Sequence, residues 1–369
     1  DRSGDDPERV GHDPESLDAG FADPPREYGP VPLWWWDGDE LDDDRLTEQL
    51  EDLAAGGVTG VCFISKYPHG PEGDQARYFS EEWWDHIEHA ARECARLDMD
   101  LWVHDETYHH SPPTWREYWQ DALRTEATEN PELRGRVLDR IATDVSEGES
   151  VTLDLPEKFT PLSVAAYPRG EDGLGLSEAV ELDATDGEVR WTAPGADEEG
   201  TAQEGDVAGT TGASEYHVAA VGHRPEGLCY TSEAAAERYL ELHFEEYVRR
   251  LGEDLVRDVL AGTFEDELVV LDGEVPCDER VIERFRADHG YDPVPRLIGL
   301  YEECAGGADA SVDGADAGVD ATDVRTDYYD TVTSLLEECW FEPLYDFHEE
   351  YDLLRAHDNW GRNDLAAGT

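Results

Sequence analysis

The alternation of apolar runs and amphipathic segments between residues 32 and 107 constrains this chain more than any other feature. "PLWWWDG" (32–38) reads as a short buried strand ending in a turn. "DDDRLTEQLEDLAAGG" (42–57) has a helical apolar rhythm, an acidic first turn and a glycine stop. "VTGVCFISKY" (58–67) is rich in β-formers, and "SEEWWDHIEHAARECARLD" (80–98) is an amphipathic helix with Ser80 placed to cap it. "MDLWVHDET" (99–107) is a further strand that breaks into polar residues. Strand, helix, strand, helix, strand with short links means βαβ units, hence a parallel sheet. The expected fold is α/β, a (β/α)8 barrel of the TIM type, complete or incomplete. "WDG", "SKY" and "HDE" then lie on the carboxyl-end rim, where such barrels assemble their active sites.

The rhythm stops near Pro131. From Leu133 to Arg224 the text becomes β-like and loop-rich, with "VTLDLP", "LSVAAYP", "GEVRWTAP" and "YHVAAVG" set between Gly, Pro and Asp clusters. Helical text resumes at "SEAAAERYLELHFEEYVRRLGEDL" (232–255), with Ser232 as N-cap, and feeds into "LAGTFEDELVV" (260–270), a further barrel strand. The expected organisation is a polar segment (1–21), a first part of the barrel (22–132), a small inserted β-rich domain (133–224) and a continuation of the barrel (225–369).

Acids on the rim must be weighed against the composition. The chain has 90 Asp+Glu against 28 Lys+Arg, a formal net charge of -62, and its only lysines are Lys66 and Lys158. With 11 Trp and 16 Tyr it is a folded protein, not a disordered acidic tail. Molar salt shortens the Debye length to about 3 Å and screens the self-repulsion, so the composition is that of a haloarchaeon-like acidic proteome. No basic patch offsets the field, which excludes nucleic acid as an expected partner. The six cysteines are scattered without a C-x-x-C pair, which argues against a zinc site and a disulfide framework. No positive n-region with an apolar h-region is visible, and no run of 18 apolar residues could span a membrane. A soluble, cytoplasmic protein is expected, with its oligomeric state open.

In such a chain a random surface acid carries no information; an acid at the end of a buried strand does. Glu265, Asp266 and Glu267 end the apolar run of "AGTFEDELVV" and must be solvated, paired or used. Strand alternation puts Glu265 and Glu267 on one side and Asp266 on the other. A carboxyl in the rim cleft is disposed to act as general acid, with Glu267 as first choice and Glu265 as second. The alternative is an ion pair with an Arg or a structural cation. Trp36 beside Asp37 offers an aromatic face and a carboxylate to a pyranose, although Trp34 and Trp36 read equally well as core. His104, Asp105 and Glu106 offer ligand contacts at another strand end. No phosphate-cradling glycine loop and no G-x-S-x-G elbow appears in a strand-to-helix turn.

"PLWWWDG" with "LTEQLEDLAAGGVTGVCF" resembles the opening of glycoside hydrolase family 106, the α-L-rhamnosidase-like barrels. So do "ENPELRGRVL" (129–138), "TSEAAAERYLELHFEEYVRRLGEDL" leading to "GTFEDE", and "FRADHGYDPVPRLIGLYEE" (285–303). The resemblance covers most of residues 22 to 369. It implies a carbohydrate substrate, inverting hydrolysis of an α-L-rhamnoside by two carboxylates, and often a bound calcium. It carries the acid onto Glu267, which closes "FEDE". "HDNWGRNDLAAGT" would form another rim strand end with His357, Asp358, Asn359 and Trp360, and Asp358 is the candidate second carboxylate. Family barrels usually belong to longer chains, and only five or six strands can be counted here. The chain is therefore expected to be truncated or to close its barrel differently. Two rival classes are a non-catalytic glycan-binding relative and a metal-dependent barrel lyase or hydrolase using the "HDE" and "FEDE" acids as oxygen ligands.

Overall fold

The computed structural model describes residues 21–22, 24, 26–37, 41–66, 79–104, 129–195, 213–265, 275–304 and 321–357. In chain order the strands are β1 (Leu33–Asp37), β2 (Gly60–Lys66), β3 (Asp100–His104), β4 (Arg134–Ser146), β5 (Ser150–Asp154), β6 (Thr160–Gly170) and β7 (Gly173–Leu174). They continue as β8 (Val180–Glu181), β9 (Ala184–Thr185), β10 (Glu188–Thr192), β11 (Glu215–Leu228), β12 (Leu260–Glu265) and β13 (Leu354–His357). The chain divides into two compact units, one of Asp1–His109, Phe244–Asp266 and His348–Asp358, the other of His110–His243, Glu267–Phe347 and Asn359–Thr369.

The first unit is built on a parallel sheet in the order β1-β2-β3-β12-β13. This is the chain order that a β/α barrel would have. Among the described residues, however, it comprises five strands and does not close, so the expected eight-stranded barrel is not formed by them. The helix Asp43–Ala55 starts where Asp42 Oδ1 accepts from the Arg45 backbone N–H at 2.9 Å. The helix Glu81–Leu97 starts where Ser80 Oγ accepts from the Trp83 N–H at 3.2 Å, as its sequence predicts. These helices cover the sheet face that carries Trp34, Trp36 and Phe63. Trp34 Nε1 donates to Gln49 Oε1 at 2.8 Å, and the Phe63 ring lies 6.1 Å from Trp83 and 6.3 Å from Tyr247. On the opposite face the two edge strands keep large apolar groups in solvent, Leu33 at 43%, Trp35 at 41% and Leu354 at 62% exposure. Gly262 is required where β12 meets its neighbours: a Cβ there would lie 2.2 Å from the Leu354 carbonyl oxygen and 2.8 Å from the Trp102 ring.

The continuous helix expected over 232–255 is instead three, Glu233–Leu242, Phe244–Leu251 and Glu253–Val259. His243 leaves the helical region at φ -115, ψ -84, and Gly252 takes φ +81, which only glycine adopts without strain.

The second unit holds β4–β11. None of these strands pairs with the parallel sheet; they form the ladder β4-β11-β6-β7, with β8 beside β6, and the small sheet β5-β10-β9. Val145, Ala166, Tyr216 and Val218 of the larger sheet and Leu153 and Val189 of the smaller share one buried cluster. This unit is larger than the expected insertion. The Leu138 N–H donates to the Val275 carbonyl at 2.7 Å and the Cys277 N–H to the Arg136 carbonyl at 2.8 Å. These bonds tie the chain before the helix Glu279–His289 to β4. Residues 267–347 therefore group with the strands and not with the parallel sheet, where the continuation of the barrel was expected.

Candidate functional site

The parallel sheet aligns the strand ends that the sequence singles out. In a parallel α/β sheet ligands bind beyond the carboxyl ends of the strands, and here these are Asp37, Lys66, His104, Glu265 and His357. The register sets Asp37 opposite Lys66, Phe264 opposite His104, and Glu265 opposite His357. β2 separates β1 from β3, so Asp37 stands about 10 Å along the sheet from the β3 end at the usual ~4.8 Å spacing. The sheet thus brings the ends of β3, β12 and β13 together, and sets the end of β1 apart.

Glu265 is 2% exposed, and both of its oxygens are taken. Arg355 of β13 donates from Nε to Oε1 at 2.7 Å and from Nη2 to Oε2 at 2.5 Å. The two residues lie on one face because Thr263, two residues before Glu265, is in register with Arg355. Of the three fates open to the acids of "FEDE", Glu265 has the second: it is paired. A fork-to-fork pair engages each carboxyl oxygen of Glu265, which is the ion-pair alternative that the sequence left open. On the same face Thr263 and His348 share a hydrogen bond between Oγ1 and Nε2 at 2.8 Å.

His104 lies on the other face. It is 2% exposed and its ring centroid is 5.5 Å from that of Phe264. Trp36 does not reach the rim. It is 4% exposed, with its ring 5.3 Å from Trp34 and 5.4 Å from Phe63 under the covering helices. Trp34 and Trp36 are thus buried among aromatic rings, the position that the core reading describes. Asp37 and His357 hold their strand-end positions in the backbone. Asp105, Glu106, Glu267, Asp358, Asn359 and Trp360 lie outside the described residues.

Arg355 was not singled out by sequence reasoning. Its signal was present, an arginine two residues before His357 in a short apolar strand, where alternation sends it to the same side. Among the described residues no group of three His, Cys, Asp or Glu is placed to hold a metal ion. The cysteines are free thiols, and burial pushes Cys94, Cys229 and Cys277 up to about 12, well away from nucleophilic or ligand duty. No helix among the described residues is long and apolar enough to cross a membrane.

No protein-family model matches the chain, and no curated protein matches it. Among solved structures it is similar to a rhamnosidase from Novosphingobium sp. PP1Y, at 15% sequence identity and a TM-score of 0.54. The match covers 93% of this chain and 47% of that one, so the chain spans about half the length of its structural relative. At this identity the likeness is one of fold: a mixed α/β chain whose path follows that of a rhamnosidase.

Proposed function

We propose that the protein is a glycoside hydrolase acting on an α-L-rhamnoside-like bond, with Glu267 as general acid. The observation that carries this reading is the position of "FEDE" at the carboxyl end of β12, an interior strand flanked by β3 and β13 on a sheet whose path follows a rhamnosidase. Glu265 is occupied by Arg355, so the acid function falls to the next carboxylate that alternation returns to the same side, Glu267. Asp358, one residue beyond β13, is the proposed base. In an inverting enzyme the two carboxyls stand roughly 6.5–9.5 Å apart to admit the attacking water. His104 and Asp37 are the proposed hydroxyl contacts, and β4–β11 the proposed inserted domain.

The test is hydrolysis by Glu267→Gln of two rhamnoside classes, assayed in molar salt. An alkyl rhamnoside needs its leaving oxygen protonated, and its cleavage should fall by about 10²–10⁴-fold. An activated aryl rhamnoside needs no such proton and should be cleaved at close to the parent rate. Equal loss on both classes, or none on either, would show that Glu267 is not the acid.

A further inference from the structure

The first strand of the parallel sheet carries three consecutive tryptophans with different fates. Trp34 and Trp36 are 7% and 4% exposed, whereas Trp35 between them is 41% exposed. Alternation is the cause. Successive side chains leave a strand on opposite sides, so Trp35 faces away from the helices that cover its neighbours. The register carries this side across the sheet: Trp35 stands opposite Ile64, Cys62 opposite Trp102, and His104 opposite Phe264. Trp35, Trp102, His104 and Phe264 therefore share one side, the one that Glu265 and Arg355 do not occupy.

Three large apolar groups of β1 and β13 stand in solvent, Leu33, Trp35 and Leu354. Leu33 and Leu354 are the first residues of their strands, at the end remote from the rim. A singly exposed leucine there needs no special cause. Trp35 lies two residues before the carboxyl end of β1, a rise of about 7 Å, which brings its ring within reach of the rim where parallel sheets bind ligands. Of the three it alone offers a flat apolar face with an N–H donor at its edge. A pyranose has the complementary surface, C–H groups on its faces and hydroxyls around its perimeter.

We infer that Trp35 is the platform on which a pyranose ring of the substrate stacks, with a C–H face of the sugar against the indole. This role rests on the protein being a glycoside hydrolase, and it assigns the sugar contact to the exposed ring and not to the buried Trp36. The proposed acid follows β12 and not β1, so the indole touches no reacting bond. It holds the sugar alike in the ground and transition states, which lowers KM without raising kcat.

Ligand-observed NMR titration with methyl α-L-rhamnoside in molar salt tests the platform without requiring turnover. Trp35→Ala should weaken binding about tenfold, and on an activated aryl rhamnoside it should raise KM by a similar factor with kcat kept. Trp35→Tyr should restore most of the affinity, and Leu33→Ala and Leu354→Ala should leave it unchanged. Should Trp35→Ala fail to fold, Trp35→Gln removes the ring while keeping a polar chain in solvent, and the same loss is expected. Parent affinity in the ringless variant overturns the platform and leaves the glycosidase function standing. A loss that Leu33→Ala reproduces also overturns it, since the whole strand edge and not the ring would then be responsible. If the ringless variant keeps its affinity but turns from dimer to monomer in sedimentation, the ring belongs to a contact between copies and the platform is overturned. A parent that neither binds nor cleaves a rhamnoside removes the glycosidase function, and the platform with it.

Discussion

The two sheets of this protein handle charge in opposite ways. Among the described residues of the parallel sheet, the ion pair Glu265–Arg355 joins two strands beside apolar and aromatic side chains. In the antiparallel ladder one face carries a cluster of charge: Arg169 pairs with Asp144 and Arg140 with Glu302. The difference follows from how each sheet is covered. A parallel sheet in an α/β fold turns both faces toward apolar layers and leaves polar chemistry only at its strand ends. An antiparallel sheet with one core face can devote the other to a polar network. An acid in the first sheet is therefore informative, and an acid in the second is usually one of several.

Salt should produce the largest effect, and it should not distinguish the two units. The charge of -62 is spread over the whole chain, so transfer from molar salt to dilute buffer is expected to unfold both. Circular dichroism across a salt series checks this; a native spectrum in dilute buffer, unchanged up to molar salt, would show that the acidic surface needs no screening.

Breaking the buried pair should come next. Arg355→Met strands Glu265, whose side chain is 3% exposed, and should cost about 3 kcal/mol, the low end for a buried pair because the Arg355 side chain is 20% exposed. Adding Glu265→Leu removes the stranded charge and should recover most of the loss. Arg190→Ala, which opens the exposed Arg190–Glu188 pair of β10, should cost less than about 1 kcal/mol. Urea midpoints of the four proteins measure the contrast. Equal losses for Arg355→Met and Arg190→Ala would erase it.

These contrasts also mark what the sequence could disclose. β1, β2, β3 and the helices between them were legible to within a few residues, because each is an apolar run or an amphipathic repeat bounded by its own cap. β4 was not, since "RGRVLDRIATDVS" interleaves charges whose partners lie on β6, on β11 and at the distant Glu302. The break at His243 carries no glycine or proline and is equally invisible. At the site, alternation within β12 could be read, but that Arg355 takes both oxygens of Glu265 depends on β12 and β13 being adjacent across 90 residues of sequence.

The smallest effect separates two helix starts of similar sequence. Ser80 caps the helix Glu81–Leu97 through its hydroxyl, and Ser80→Ala should cost about 1 kcal/mol. Ser232 occupies the same position before Glu233–Leu242 but makes no capping bond with its side chain, so Ser232→Ala should forfeit no capping contribution. Chemical denaturation of the two variants compares them; a loss at Ser232 equal to that at Ser80 would remove the distinction.

The exposed apolar groups on the edge strands have a colloidal consequence. Among the described residues β1 and β13 lie at the margins of the parallel sheet, and Leu33, Trp35 and Leu354 stand on them in solvent. In dilute buffer mutual repulsion would keep two such edges apart. In molar salt that barrier reaches only about 3 Å, and salting-out strengthens apolar association at the same time. Protection against edge-to-edge growth then rests on the brevity of the margins, five residues in β1 and four in β13, too short a template for a stable intermolecular ladder.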